Sequence, residues 1–124
     1  MTYETGYKRI MVVDDDPHIR EILIQRLRSR GGWTVEGAAN GDEAISKMAL
    51  GDYDLIVLDL MMGAVGGNDV FLALQSLPRK PQVIIVSALA ELWKRTHSER
   101  DAVAVFTKPV EFKKLADAIE TALG

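Results

Sequence analysis

Polar side chains able to form a reactive site stand where four short apolar runs of the chain end. They are Asp14 and Asp15, Asp59, Ser87 and Lys108. Carboxylates held about 5 Å apart repel one another by about 3 kcal/mol per pair at an effective dielectric of about 20. Left alone, such a cluster would bind protons or disorder, and a hard divalent cation resolves this conflict. An all-oxygen site with few protein ligands favours Mg²⁺ over zinc or copper. With a lysine and a hydroxyl available for an incoming anion, the set predicts phosphoryl transfer to an aspartate.

Each of these residues also has a purely structural interpretation. An aspartate after an apolar run, such as Asp59, is a turn residue more often than a nucleophile, and a single serine or lysine carries little information. Asp16 followed by Pro17 matches an N-cap with proline at the first helical position, so we leave Asp16 outside the site. Only the joint pattern, in which these residue types end several strands, favours chemistry.

Apolar runs typical of strands alternate along the chain with stripes of helical spacing. The predicted strands are residues 10–13, 33–38, 55–58, 83–86 and 103–106. Runs that are apolar on both faces suit strands buried in a parallel sheet. The helical stripes are Ile19, Ile22, Leu23 and Leu27 within about residues 17–30, then Ala44, Ile45 and Met48, then Val70, Leu74 and Leu77, and finally Phe112, Leu115, Ala116, Ile119 and Leu123. The mostly polar segment between Ala90 and Arg100 is assigned to the remaining helix.

This (βα)5 order predicts a doubly wound α/β fold, with a five-stranded parallel sheet, right-handed crossovers and helices on both faces. In such sheets ligands bind beyond the carboxyl ends of the strands. Because the candidate residues stand at four of those ends, we expect them to meet at one edge of the sheet.

Composition supports one compact domain over residues 1–124, with a flexible segment expected over residues 1–7. The chain of 124 residues is 48% hydrophobic and 27% charged, and it contains no cysteine, which excludes disulfides and thiolate metal sites. Its net charge of −3 gives no basic surface for direct nucleic-acid binding. No apolar run approaches the roughly 20 residues of a membrane span, and the polar first residues do not resemble a secretory signal. A cytoplasmic location is expected.

Four motifs in order, VVDDDPHIR, DLIVLDLMMG, VIIVSA and FTKP, resemble the receiver domains of two-component response regulators across nearly the whole chain. The resemblance implies the flavodoxin-like fold with strand order 2-1-3-4-5. It also implies acceptance of a phosphoryl group from a sensor histidine kinase or phosphotransfer protein, followed by altered contacts with an unknown protein target. Such a chain would catalyse only its own phosphorylation and dephosphorylation.

The resemblance also assigns a role to each candidate residue. Asp59 would be the phosphoacceptor. The implied surroundings of Mg²⁺ are Asp15 and Asp59 as direct ligands, Asp14 nearby, and the backbone carbonyl of Met61 as a further ligand. Ser87 would hydrogen-bond the phosphoryl oxygens and Lys108 would pair with them. The bond between Lys108 and Pro109 would be cis.

Two departures from the family pattern bear on signalling. The family has proline where this chain has Gly63, so the loop after the phosphoacceptor is expected to be more mobile. The family has Tyr or Phe three residues before the lysine, where this chain has Val105. That aromatic normally turns inward as the hydroxyl residue, here Ser87, approaches the phosphoryl group, and the neighbouring Phe106 faces the other side of the strand. The family's usual output face would carry Trp93, Lys94, Arg95, Lys113 and Lys114. Trp93 would either anchor an interface there or pack locally.

Other functions remain open on the sequence. The chain can be a stand-alone receiver or a receiver module of a larger hybrid kinase or output-domain protein. A hydrolase with an aspartyl-phosphate intermediate would have a second acid two residues after the nucleophile, where this chain has Met61. A dinucleotide-binding domain is excluded because no Gly-x-Gly-x-x-Gly turn follows the first strand.

Overall fold

The computed structural model describes residues 7–61 and 66–124 of the chain. Predictions that concern residues 1–6 and Gly63 lie outside these ranges. The strands are β1 (Lys8–Val13), β2 (Trp33–Ala38), β3 (Leu55–Leu58), β4 (Gln82–Ser87) and β5 (Ala104–Thr107), and the helices are α1 (Pro17–Arg30), α2 (Gly41–Leu50), α3 (Gly67–Gln75), α4 (Ala90–Thr96) and α5 (Phe112–Leu123). Of the helices in this part of the chain, none is both long and apolar enough to cross a membrane.

All neighbouring strands pair in parallel, and their order in the sheet is β2-β1-β3-β4-β5. Val13 at the end of β1 is level with Ala38 on one side and with Leu58 on the other. Ser87 at the end of β4 is level with Thr107 of β5. The predicted fold and strand order are confirmed, and the strands end at a common edge.

Each face of the sheet carries its own hydrophobic core, because successive side chains of a strand point to opposite sides. One core joins Met11, Ile56 and Ile85 to helices α2, α3 and α4. The other joins alternate residues of the same strands, such as Ile10 and Ile84, to helices α1 and α5. The central strands are therefore buried on both faces, as their continuous apolar runs predicted.

Helix α1 has the predicted bounds but a different buried face. Ile24 is buried, whereas Ile19 and Ile22 are 39% and 52% exposed, so the predicted stripe was wrong at these two positions. The cause lies in β2, where a Cβ built on Gly37 would be 2.7 Å from Ile24 Cδ1. The missing side chain lets Ile24 pack directly against the strand, which leaves Ile19 and Ile22 at the surface.

Two expectations about the β5 side of the sheet were wrong. β5 is an edge strand beside β4, so its first three residues are only partly buried and its last residue is exposed. Val103 lies outside the strand at 51% exposure. Trp93, expected on the output face, is buried at 4% exposure. Its indole stacks on the His97 imidazole with centroids 4.2 Å apart, and it meets the Phe71 ring edge-on at 5.8 Å. The exposed basic residues of that face are Lys94, Arg95, Lys113 and Lys114.

Candidate functional site

Backbone hydrogen bonds continue the strand pairing at the carboxyl edge of the sheet and so fix the candidate residues. The Asp14 N–H donates to the Ala38 carbonyl at 3.2 Å, and the Asp59 N–H donates to the carbonyl of the last β1 residue at 3.0 Å. On the other side of the site, the Lys108 N–H donates to the Ser87 carbonyl at 3.1 Å. These side chains therefore leave the backbone at positions that the sheet determines.

Three carboxylates meet at this edge. One oxygen from each of Asp14, Asp15 and Asp59 lies within 4.8 Å of the other two. Asp14 and Asp59 are buried, whereas Asp15 is exposed. Anionic groups this close and this far from water are costly without a cation. An all-carboxylate cluster with one open side fits a hard divalent ion that keeps part of its water, so these residues are suited to a divalent metal.

Lys108 brings a cation to the same cluster from the end of β5. Its Nζ donates to Asp14 Oδ2 at 2.8 Å and to Asp59 Oδ2 at 3.1 Å. Burial alone would lower the pKa of Lys108, but the hydrogen bonds to both carboxylates outweigh burial and the pKa is raised. The lysine therefore stays protonated and offsets part of the acid charge. The bond from Lys108 to Pro109 is cis, as the resemblance implied.

The other oxygens of the two buried carboxylates accept backbone N–H groups. The Asp16 N–H donates to Asp14 Oδ1 at 2.9 Å, and the Met61 N–H donates to Asp59 Oδ1 at 3.1 Å. The Met61 backbone therefore lies beside Asp59. The Asp16 carboxylate caps α1 by accepting the His18 N–H at 2.9 Å, which confirms the structural role predicted for it.

Ser87 and Val105 lie on the β4 and β5 side of the site. Ser87 is fully buried, and its hydroxyl oxygen accepts the Leu89 N–H at 3.1 Å. Because a hydroxyl both accepts and donates, Ser87 can still donate its proton to a ligand. Val105 packs in the core that contains Trp93, whereas Phe106 packs in the opposite core, as strand alternation predicted.

Sequence reasoning missed one residue at this site. Arg20 of α1 extends over the end of β1, and its Nη1 donates to the Asp14 carbonyl oxygen at 2.8 Å. A weak signal was present, since Arg20 lies one helical turn after the Asp16 cap and therefore on the side of α1 above that cap. No side-chain pattern records a bond to a backbone carbonyl, so the contact itself was not predictable.

Comparison with known proteins identifies the family. The model of the response regulator receiver domain matches residues 10–120, and the chain belongs to this family. The transcriptional regulatory protein ResD of Bacillus subtilis is 39% identical over 88 residues, which cover 71% of this chain and 36% of ResD. The transcriptional regulatory protein CusR of Escherichia coli is 30% identical over 116 residues, which cover 93% of this chain and 51% of CusR. The chain thus spans about half, or less, of the length of these relatives.

A solved structure supports the same assignment. The response regulator protein TrrA from Thermotoga maritima, crystallised in complex with Mg²⁺–BeF, matches with a TM-score of 0.81 and 31% sequence identity. The match covers 93% of this chain and 98% of that one. The chain is a receiver domain of the response-regulator kind, a class that works with histidine kinases or phosphotransfer proteins. Its acidic cluster fits the phosphoacceptor site of such a domain.

Proposed function

We propose that this protein accepts a phosphoryl group on Asp59 from the phosphohistidine of a sensor histidine kinase or phosphotransfer protein, with Mg²⁺ in the acidic cluster. The observation that carries the proposal is the cluster itself, with three carboxylates within 4.8 Å and Lys108 bonded to two of them. We assign the acceptor role to Asp59 because it follows β3, and β3 lies between β1 and β4 in the sheet. It therefore stands between the acids that follow β1 and the hydroxyl of Ser87.

In the proposed reaction an Asp59 carboxylate oxygen forms a bond to phosphorus. The bond from phosphorus to the donor's imidazole nitrogen breaks, and the imidazole leaves with that electron pair. Bound Mg²⁺ would neutralise negative charge on the acids and on the phosphoryl oxygens. The residues that would hold it are Asp15, Asp59 and the Met61 carbonyl, with Asp14 beside them. Lys108 would replace one of its hydrogen bonds to a carboxylate with a charge-assisted hydrogen bond to a phosphoryl oxygen. The Ser87 hydroxyl would donate a hydrogen bond to another phosphoryl oxygen.

The donor protein would approach across an apolar groove beside Lys108. Ile19 and Ile22 of α1 and Phe112 of α5 line this groove of about 530 Å³ together with Lys108. Because Lys108 bonds directly to Asp59, a partner whose phosphohistidine reaches Asp59 also covers the groove. Burying each exposed isoleucine would stabilise that contact by roughly 1.5–3 kcal/mol at most.

Phosphorylation by a small donor tests the proposal. Acetyl phosphate with Mg²⁺ should add a single phosphoryl group, detected by intact mass and removed by hydroxylamine. Asp59→Asn should accept none, because an amide is not a nucleophile. Asp52→Asn, which changes an exposed aspartate after α2, is the matched control and should behave as the wild type.

Two results would contradict the proposal. A phosphoryl group retained in Asp59→Asn would place the acceptor elsewhere. Phosphorylation that continues undiminished in EDTA would show that the reaction does not need a metal ion.

A second candidate is a receiver module that acts as part of a larger regulator or hybrid kinase. It is favoured by the length of the relatives, since the match covers 36% of ResD and 51% of CusR. In both cases we propose that output passes to a protein target through the exposed basic residues of α4 and α5. Sequencing the reading frame around the chain decides between the two candidates.

A further inference from the structure

Arg20 connects helix α1 to the backbone of the acidic cluster. Its Nη1 donates to the Asp14 carbonyl oxygen at 2.8 Å, and its side chain is half-buried. We infer that Arg20 is a positioning residue for metal binding, which through this bond helps to fix the direction in which the Asp15 side chain leaves the backbone. The inference rests on the proposed Mg²⁺ site and adds to it a residue that does not contact the metal.

The bond matters because the Asp14 carbonyl and the Asp15 N–H belong to the same planar peptide unit. Asp14 is also held at its N–H by the Ala38 carbonyl at 3.2 Å and at its carboxylate by Lys108 Nζ at 2.8 Å. Asp15 is exposed, and across residues 7–61 and 66–124 its side chain makes no hydrogen bond. Arg20 holds the first of the two peptide planes that adjoin Asp15, and the second is held by the N–H of the following residue, which donates to Asp14 Oδ1 at 2.9 Å. The direction in which the Asp15 side chain leaves the backbone therefore depends in part on Arg20.

Gly37 of β2 supplies the space that this arrangement needs. The Arg20 side chain passes over Gly37, where an added Cβ would lie 3.1 Å from Arg20 Cδ and 3.3 Å from its Cγ. The same Cβ would lie 2.7 Å from Ile24 Cδ1, so an alanine there must displace neighbouring side chains. Gly37 is level with Val12, two residues before Asp14. The glycine therefore keeps open the path by which the guanidinium reaches the end of β1.

The positioning role of Arg20 and its positive charge predict opposite effects on metal affinity when Arg20 is replaced. As a cation close to the acids, Arg20 would repel Mg²⁺, so a neutral replacement would tighten metal binding. As a positioning residue it improves the site, so the same replacement would weaken binding. Residues that orient metal ligands commonly contribute about tenfold or more to metal affinity, and we expect this positioning effect to exceed the repulsion between Arg20 and the metal.

The experiment is a titration of the whole chain with MgCl₂, followed by NMR of the backbone amides. Arg20→Met should weaken Mg²⁺ binding about tenfold and should shift the Asp15 amide resonance in EDTA. In an Asp15→Ala background the same change should cost less than about twofold, because the side-chain oxygens that Arg20 positions are gone. The matched control is Arg28→Met, which removes an equal charge and two hydrogen bonds from α1 to the Val35 carbonyl, of 3.0 Å from Nε and 2.7 Å from Nη2.

A second variant keeps the test decisive if Arg20→Met does not fold. Gly37→Ala leaves every charge in place and should weaken Mg²⁺ binding in the same direction. Tighter binding in Arg20→Met, an equal loss in Arg28→Met, or an undiminished loss in the Asp15→Ala background would each overturn the inference. Wild-type protein that fails to bind Mg²⁺ would overturn the proposed metal site, and the inference with it.

Discussion

The Lys108 ammonium donates to the Asp14 carboxylate at 2.8 Å, although the two residues are 94 positions apart in the chain. A second bond of 3.1 Å joins the same nitrogen to Asp59. The protein thus supplies its own cation to the acidic cluster. A metal at this site would compete with Lys108 for the same carboxylates, so the lysine that stabilises the metal-free fold also opposes metal binding.

Replacing Lys108 with methionine should therefore lower stability and raise metal affinity together. Removing one partner from a buried charged set costs about 3 kcal/mol or more, and the Asp14 and Asp59 side chains are only 5% and 6% exposed. Urea unfolding in EDTA should show this loss, and added Mg²⁺ should restore more stability to Lys108→Met than to the wild type. Lys113→Met, which removes an exposed ion pair with Asp117, should lose little. An equal response of both variants to Mg²⁺ would contradict the competition.

Tyr53 should make the fold sensitive to alkaline pH. It is buried, and its hydroxyl donates to Glu36 Oε1 at 3.0 Å. Burial, and after it this hydrogen bond, raise the pKa of Tyr53 from 10.0 to about 12. Because the folded pKa is the higher one, the contribution of Tyr53 to stability is complete below about pH 10 and is lost as the pH rises from there toward about 12.

The Tyr53→Phe variant tests this dependence. Its free energy of unfolding in urea should fall less than that of the wild type between about pH 8 and about pH 11, because phenylalanine has no proton to lose. If the unfolding free energy of Tyr53→Phe fell with pH as steeply as that of the wild type, another group would be responsible for the loss of stability at alkaline pH.

Docking on the groove beside Lys108 should distinguish protein donors from small donors. Ile22→Glu introduces a charge at a groove residue that is 52% exposed. The rate of phosphotransfer to this variant from the protein that phosphorylates the wild type should therefore fall about tenfold or more. Acetyl phosphate should modify the variant normally, because the acidic cluster is unchanged. Leu50→Glu changes an 89% exposed leucine at the end of α2 and is the matched control. The groove would be excluded as the docking surface if both variants received phosphate from the protein donor equally well.

Features fixed by local signals were predictable from the sequence. The bounds of α1 follow from the Asp16 cap and Pro17 at its start and from Gly31 and Gly32 at its end, where φ is 79° and 86°. The strand ends follow in the same way from short apolar runs, and parallel pairing brings those ends to one edge. The meeting of the acids with Lys108 could be predicted because it depends only on where the strands end.

Features decided by distant contacts were not predictable. The buried face of α1 depends on Gly37 of β2, which no periodicity within the helix records, so two isoleucines were assigned to the core incorrectly. Trp93 lies in a mostly polar segment of the chain, yet the Phe71 and His97 rings pack against it in the fold. The contact of Arg20 with a backbone carbonyl leaves no trace in the pattern of side chains.

Ser87 is connected to α4 by two hydrogen bonds in series. The Leu89 N–H donates to the Ser87 hydroxyl at 3.1 Å, and the Trp93 N–H donates to the Leu89 carbonyl at 3.0 Å. Helix α4 has only 7 residues, and Leu89 at its N-cap provides no side-chain cap. A helix this short depends on tertiary contacts, here the buried Trp93 and the connection to Ser87. A movement of the Ser87 hydroxyl should therefore act first on α4.

Phosphorylation should change α4 more than β5. Val105 is β-branched and nearly fixed about χ1, so it cannot make the inward turn of the family's aromatic. Ser87 can turn toward a phosphoryl oxygen and release the Leu89 N–H. Hydrogen exchange with and without fluoroberyllate, a mimic of phosphorylated Asp59, should show protection changes concentrated in residues 88–100, and Ser87→Ala should reduce them. Changes confined to residues 103–106 in the wild type, with residues 88–100 unaltered, would show that β5 transmits the signal instead.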